Sequence, residues 1–275
     1  MVNILLPTDF SDNSFHAGAY AARLFGTKDV SYTLVHTYLD ADPSITPWAG
    51  MGPELYKAAA EGMRDWEERL RVSGLFGKEP LATEVIYGPL QSMLNDLGKE
   101  RKADLVVMGT QGRSGAGLLG SNAAAMVKHS NFPVLVVPNK TEVRSVSRIL
   151  FADDQKGVEV AGTRMLLHIA LSAGAEIILA HVLRHKDDVP DPEIIAMYEE
   201  LLQAVPHRFM ATEGEDVAGA IDYLAEQEGA DMIAVLHRHT GFFEGLFKTS
   251  TAKRLALHTN VPLLVMQAQD ERGRA

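Results

Sequence analysis

The feature of this sequence that most constrains its fold is an internal repeat, because four blocks of the first half recur in the same order in the second half. The first block, residues 3–11 (NILLPTDFS), matches residues 148–156 (RILFADDQK). The other three blocks are also short and mostly apolar. They are residues 32–38 with 177–183, 102–109 with 229–236, and 132–138 with 261–267. Two copies of one folding unit therefore account for the chain.

The spacing of the blocks shows that the second copy is shorter, mainly in its middle. Matched blocks lie 145 residues apart at first and 127 to 129 apart later. Residues 40–53 (DADPSITPWAGMGP) have a loop composition, and the second copy has only the shorter DDVPDP there. A polar stretch at 139–147 separates the copies, and a length of 275 residues agrees with about two domains. We therefore predict domains at residues 1–140 and 146–270.

Each copy alternates short apolar runs with longer amphipathic stretches. The runs lack a helical period and fit strands that are buried on both faces of a parallel sheet. In the first copy they are residues 4–6, 32–36, 82–86, 105–108 and 134–137. The amphipathic stretches predict helices at 14–25, 53–73, 89–101 and 121–130. Such alternation predicts a doubly wound, five-stranded parallel sheet in each copy, with ligands at the carboxyl ends of the strands.

Composition removes several classes of function. The net charge is −10 and the basic residues do not cluster, so nucleic acid is not expected as a partner. The chain has no cysteine, which excludes disulfides, thiolate catalysis and Cys-ligated zinc. We see no signal peptide in MVNILLPTDFSD and no apolar run long enough to span a membrane. The expected compartment is the cytoplasm.

A glycine-rich segment follows the fourth predicted strand. Residues 108–121 (MGTQGRSGAGLLGS) contain five glycines between an apolar strand and a predicted helix. Glycine lets the backbone approach a ligand closely, and exposed N–H groups beside a helix N-terminus form a cradle for anions. The segment is therefore read as a phosphate site or, alternatively, as a structural turn. Its one cation, Arg113, could contact the phosphates or face solvent.

Asp9 follows the first strand and lies at the same predicted sheet edge. A carboxylate there could accept a hydrogen bond from a ribose hydroxyl, as in dinucleotide-binding folds. The alternative is a helix N-cap, for which both Asp9 and Ser11 are suitable.

With these residues in view, the chain resembles the universal stress protein family over nearly all its length, as two family units. The nucleotide-binding branch carries Gly, two residues, Gly, nine residues, and then Gly followed by Ser or Thr. Gly109, Gly112, Gly120 and Ser121 match that pattern in type and order, but only seven residues separate Gly112 from Gly120. The resemblance implies Rossmann-like units of the adenine-nucleotide α-hydrolase type.

The ligand implied by the resemblance is ATP, usually with magnesium. Pro7, Thr8 and Asp9 would line the adenosine side. Val35 and Met108 would approach the base, and residues 109–121 would hold the phosphates. The implied site residues are, in chain order, Pro7, Thr8, Asp9, Val35, Met108, Gly109, Gly112, Arg113, Gly120, Ser121 and Asn122. Family units commonly dimerise through the last strand, so residues 134–137 and 263–266 are expected to pair within this chain as a pseudo-dimer. A further homodimer is compatible with the sequence.

The second copy departs further from the family pattern. Leu236, His239 and Thr249 replace Gly109, Gly112 and Gly120, so side chains stand where backbone would meet phosphate. Asp153 is matched to Asp9, but no ATP is expected in this copy.

Histidines and aromatics of the second copy carry weaker signals. His237, His239 and His258 could ligate a metal, but loop histidines are the more ordinary interpretation, and we predict no metal site. An apolar cluster at residues 242–247 is either core or a contact surface for a partner. His36 and His181 recur after the second strand of each copy, which predicts a structural bond to neighbouring backbone.

The sequence thus predicts a stress-response module that binds ATP in its first copy and signals to a protein partner. Three alternatives remain open: a nucleotide-free interaction scaffold, an enzyme such as a slow ATPase or a phosphoryl transferase, and a protein that binds another small ligand in its second copy. No nucleophile elbow, paired carboxylates or Walker lysine support the enzyme.

Overall fold

A computed structural model gives the architecture. It describes residues 1–38, 52–77, 81–110, 120–153, 157, 160–183, 189, 191–237 and 261–268. Residues 1–140 are called the first unit below and residues 146–270 the second unit. This division itself stays a prediction, although the strands on either side of it are observed.

Strands and helices alternate through both units. The strands are β1 (Val2–Pro7), β2 (Val30–Tyr38), β3 (Ala82–Tyr87), β4 (Leu105–Gly109), β5 (Val134–Val137), β6 (Arg148–Asp153), β7 (Glu176–Leu183), β8 (His207–Glu213), β9 (Met232–His237) and β10 (Leu263–Gln267). The helices are α1 (Asp12–Phe25), α2 (Gly52–Val72), α3 (Leu90–Arg101), α4 (Ser121–His129), α5 (Arg164–Ala173), α6 (Pro192–Leu202) and α7 (Val217–Gln227). The strands and helices predicted for the first copy are confirmed, with ends that differ by at most two residues.

The strands form one sheet in the order β3-β2-β1-β4-β5-β10-β9-β6-β7-β8. Strands within each unit pair in parallel, and the two units show the same order read from opposite ends. This is the doubly wound α/β arrangement that the sequence predicts. In such sheets the chain crosses over on both faces and leaves the carboxyl ends of the strands open to ligands.

The two units meet at β5 and β10, which pair antiparallel and join the two five-stranded sheets into one. Leu264 lies opposite Leu135, and Leu263 and Val265 lie opposite Val136 and Val134. All six of these side chains are buried. The pairing predicted between residues 134–137 and 263–266 is therefore confirmed. We call this β5–β10 contact the seam.

The sheet is covered on both faces, so its strands are apolar throughout. Alternate residues of one strand enter different cores: Ile4 and Leu6 pack with α1 and α2, whereas Leu5 packs with α3 and α4. At the seam, Leu135 and Leu264 belong to the first of these cores, and Val134 and Val265 to the second. Each core therefore runs without interruption from one unit into the other. Among the helices that the structure describes, none combines the length and apolar composition needed to cross a bilayer.

Candidate functional site

A cavity of about 140 Å³ opens in the first unit where β1, β2 and β4 end and α4 begins. The residues that line it include the two segments that the sequence analysis places at this edge, after β1 and after β4, together with the end of β2 and the starts of α1, α3 and α4. They are Pro7, Thr8, Asp9, Ser14, His36, Thr37, Leu90, Met108, Gly109, Thr110, Gly120, Ser121, Asn122 and Ala123. The structure thus brings together eight of the predicted site residues.

The turn after β1 is fixed by side-chain hydrogen bonds. The Phe10 backbone N–H donates to Thr8 Oγ1 (3.0 Å), and Thr8 Oγ1 lies 3.1 Å from Ser14 Oγ. Asp9 Oδ1 accepts from the Ser11 backbone N–H (3.2 Å) and from Ser11 Oγ (2.6 Å). Ser11 Oγ in turn accepts from the Ser14 N–H as the N-cap of α1. Ser11 is therefore the cap, and Asp9 orients that cap while it presents a carboxylate to the cavity.

The side chain of His36 lines the cavity and is held in place by a hydrogen bond to the backbone. Its Nδ1 lies 2.8 Å from the carbonyl oxygen of Thr8, which can only accept, so Nδ1 carries the proton. The ring also stacks on Phe10, with centroids 4.3 Å apart. In the second unit His181 Nδ1 contacts the carbonyl oxygen of Asp153 at 3.2 Å. The predicted structural role of both histidines is confirmed.

The ends of β4 and α4 are tied to each other. The Thr110 N–H donates to the carbonyl of Val137 (3.2 Å), and the Gly120 N–H donates to the carbonyl of Thr110 (2.7 Å). Gly112 and Arg113 lie in the segment between them, outside the described residues, so their predicted phosphate contacts stay predictions. The residues on both sides of that segment are held at the mouth of the cavity.

The N-terminus of α4 is equipped to receive an anion. Gly120 is its N-cap and has no side chain to cap the first turn, and the first turn itself contains no acidic residue. Ser121 and Asn122, the first two helical residues, are exposed and line the cavity. The first N–H groups of a helix have no partner within the helix, and its dipole favours negative charge at this end. By contrast, α1 has its own Ser11 cap and an acidic residue, Asp12, in the first turn.

Gly109 lines the cavity as predicted and also has a packing role, whereas Val35 does not line the cavity. A Cβ atom at Gly109 would lie 3.0 Å from the carbonyl oxygen of Asn13, so the lack of a side chain lets α1 pack closely against β4. Val35 has no exposed surface and belongs to the core beneath the site. It is not among the residues that line the cavity, whereas the next two residues, His36 and Thr37, are. Val35 shares a strand face with Thr37 but lies two residues further from the carboxyl end of β2, where the strand is buried.

The structure of the second unit shows that one residue was matched wrongly between the two copies. Asp153, not Asp154, contacts the repeated histidine through its carbonyl, so Asp153 occupies the position of Thr8 and was wrongly matched to Asp9. Asp154, its neighbour, is outside the described residues. The Asp153 carboxylate is buried and accepts a 2.8 Å hydrogen bond from the hydroxyl of Tyr198. A carboxylate of the second unit therefore stands where the first unit has the hydroxyl of Thr8.

The end of β9 also differs from the end of β4. Leu236 is buried where Gly109 lies in the first unit, and α5 has 10 residues where α1 has 14. A difference of four residues is about one helical turn, so the helix that contacts Gly109 is shorter where leucine is present. No group of three or more metal-ligating side chains occurs among the residues with described positions. His239, His258 and the apolar cluster at 242–247 lie outside them.

Comparison with known proteins agrees with the repeat. The profile of the Universal stress protein family matches residues 1–138 and again residues 145–267. A universal stress protein of Mycolicibacterium smegmatis is 26% identical over 294 aligned positions, covering 96% of both chains. Universal stress protein MJ0531 of Methanocaldococcus jannaschii is 29% identical over 49% of this chain and 80% of its own length. The crystal structure of a universal stress protein from Archaeoglobus fulgidus superposes with a TM-score of 0.73 at 20% identity, over 98% of this chain and 97% of that one.

Proposed function

The chain belongs to the universal stress protein family, and we propose that it is a stress-response module whose first unit binds ATP and whose second unit does not. The observation that carries this proposal is the uncapped N-terminus of α4, which faces a cavity that Thr8, Asp9 and Ser121 also line. Backbone N–H groups and a hydroxyl at that end suit the phosphates. The cytoplasmic location expected from the sequence stays a prediction.

The rest of the cavity suits the nucleoside. Asp9 is held by Ser11 as an acceptor at the cavity wall, which would suit a ribose hydroxyl as donor. Pro7, Leu90 and Met108 supply apolar surface for a base. The volume of about 140 Å³ is below the roughly 300–1,000 Å³ of sites that enclose a whole drug-sized ligand. The described walls therefore enclose part of a nucleotide.

Magnesium would bind mainly to the phosphates in this proposal. Mg²⁺ keeps several waters and commonly takes one or two carboxylates besides phosphate oxygens. Asp9 is the carboxylate that lines this cavity among the described residues, so it is the one candidate ligand from the chain there. The ion would neutralise phosphate charge in a chain whose net charge is −10.

ATP would act by linkage, because a ligand that binds only the folded state stabilises that state. At 100 times its Kd, ATP would add about 2.7 kcal/mol to the free energy of unfolding. The nucleotide would thereby shift the population of conformers that a protein partner contacts. Binding, with at most slow hydrolysis, is the activity that we propose.

The test is calorimetric titration of the whole chain with ATP and magnesium, beside Ser121→Glu. We expect about one ATP per chain in the parent. The new carboxylate would occupy the anion site and weaken binding about 10- to 100-fold, since a charge-assisted contact would be lost. Folding should be unaffected, because acidic groups stabilise a helix N-terminus. Ser172→Glu is the matched control, with the same charge change at an exposed position of α5.

Two results would contradict the proposal. Equal ATP affinity in Ser121→Glu and Ser172→Glu would show that ATP does not bind at the N-terminus of α4. The absence of heat and of thermal stabilisation at millimolar ATP would favour the nucleotide-free interaction scaffold.

A further inference from the structure

The second unit contains a cavity of about 240 Å³ that the nucleotide proposal does not use. It lies between α6 and the ends of β6, β7 and β8. Its apolar walls are Leu179, Ile194, Ile195, Phe209, Met210 and Ala211. The polar side chains that line it are Asp153, His181 and Tyr198. It is thus a mostly apolar space with a few polar groups on one side, as small-molecule sites usually are.

The first unit fills the equivalent space with one of its own rings. Phe10 stacks on His36, the counterpart of His181, and lies 6.0 Å from Trp66 of α2. Gly62 of α2 makes room for it, since a Cβ there would lie 2.8 Å from the Phe10 ring. Phe10 adopts a φ of 62°, which a bulky residue seldom does. Packing of the ring offsets the backbone strain of this conformation.

The second unit has no phenylalanine at this point of the repeat. The sequence position that matches Phe10 is Gln155, and the repeated histidine borders a cavity instead of a ring. A ligand ring placed against His181 in this cavity would make the contact that Phe10 makes with His36. A cavity of about 150 Å³ lined by aliphatic and aromatic side chains suffices to bind benzene, so 240 Å³ leaves room for a ring with a short substituent.

The polar side chains of the cavity determine which substituent on a bound ring would be favoured. Asp153 is 5% exposed, and its Oδ1 accepts from the Tyr198 hydroxyl at 2.8 Å. His181 donates through Nδ1 to backbone, so its Nε2 is an acceptor while the ring is neutral. A carboxylate and the unprotonated nitrogen of a neutral imidazole both accept hydrogen bonds, and a carboxylate binds a charged donor more strongly than a neutral one. An anionic ligand is disfavoured for the same reason.

We propose that the second unit binds a small aromatic amine, with its ring against His181 and its protonated amino group on Asp153. This site is independent of the ATP site: it lies in the other unit and on other residues. The chain would then carry two ligand sites of opposite preference, one for an anion and one for an organic cation.

Benzylamine is the probe, and methyl NMR of the whole chain is the measurement. We expect saturable shifts of the Ile194, Ile195 and Met210 methyl groups, because these side chains line the cavity. Benzyl alcohol, the neutral analogue, should bind at least ten-fold more weakly. Shifts elsewhere without shifts at these methyl groups, or equal affinity for the amine and the alcohol, would overturn the proposal.

Two variants test the charge of the site and the space in its cavity separately. Asp153→Asn keeps an acceptor for the Tyr198 hydroxyl but removes the negative charge, and it should weaken benzylamine at least ten-fold while leaving benzyl alcohol unchanged. Ile195→Trp fills the cavity and should abolish binding of both compounds. Unchanged affinity in Asp153→Asn would be sufficient to reject the proposal, whether or not Ile195→Trp folds. Titration of each variant with ATP reports on the first unit separately.

Discussion

Replacing Leu264 with alanine is expected to lower the free energy of unfolding by about 2–5 kcal/mol. Leu264 and its cross-strand neighbour Leu135 are both fully buried at the seam. Side chains directly opposite each other on antiparallel strands are in contact, so truncation removes this contact and leaves a cavity. Because the two cores are continuous through the seam, the loss should destabilise both units together.

Urea denaturation followed by circular dichroism measures this effect. The matched control is Leu171→Ala, which truncates a leucine that is 56% exposed on α5 and should change stability by less than about 0.5 kcal/mol. A single transition that moves to lower urea would agree with a continuous core. If Leu264→Ala behaved like Leu171→Ala, or if one unit kept its full stability in a separate transition, the seam would not couple the units.

Placing leucine at position 109, as the second unit has at position 236, is expected to destabilise the first unit and to weaken ATP binding at least ten-fold. The Cβ alone would lie 3.0 Å from the Asn13 carbonyl, and that backbone atom cannot move without α1. Overpacking of this kind costs about 1–3 kcal/mol. Displacement of α1 would also disturb Thr8 and Asp9, since Ser11 and Ser14 of its first turn hold both.

A graded pair of substitutions tests the steric cause. Gly109→Ala should show a smaller loss of stability than Gly109→Leu. Gly18→Ala is the control: its Cβ would meet Phe76 and Leu70 at 3.7 and 3.8 Å, which is ordinary contact, and alanine favours the helix. Thermal unfolding and ATP titration of the three variants are the measurements. If Gly109→Leu kept its full stability but lost ATP binding, Gly109 would be needed for ligand binding and not for the packing of α1.

The two units differ at the place where we propose that the first unit binds phosphate. Both retain the parallel sheet and the histidine bonded to the first strand. The first unit combines Gly109 with a longer α1, and the second combines Leu236 with a shorter α5. In the second unit Asp153 adds a carboxylate at the position of Thr8, which opposes anion binding.

The sequence by itself determined the features that depend on local pattern. Apolar runs without helical period located β1 to β5, and the resemblance to the family implied the pairing of β5 with β10. The glycine-rich segment and the residues after β1 were assigned to one sheet edge, because the carboxyl ends of parallel strands meet there. The repeated His36 and His181 were correctly interpreted as structural. Periodicity and order along the chain suffice for such features.

Only the tertiary structure decided what depends on the distance between elements. The sequence does not show that Asn13 crowds Gly109 or that Val35 lies beneath the cavity. A one-residue change of register exchanges the two faces of a strand, so a match of letters leaves such assignments open. The cavity beside His181 is likewise set by the packing of α6 on the sheet, to which residues far apart in the chain contribute.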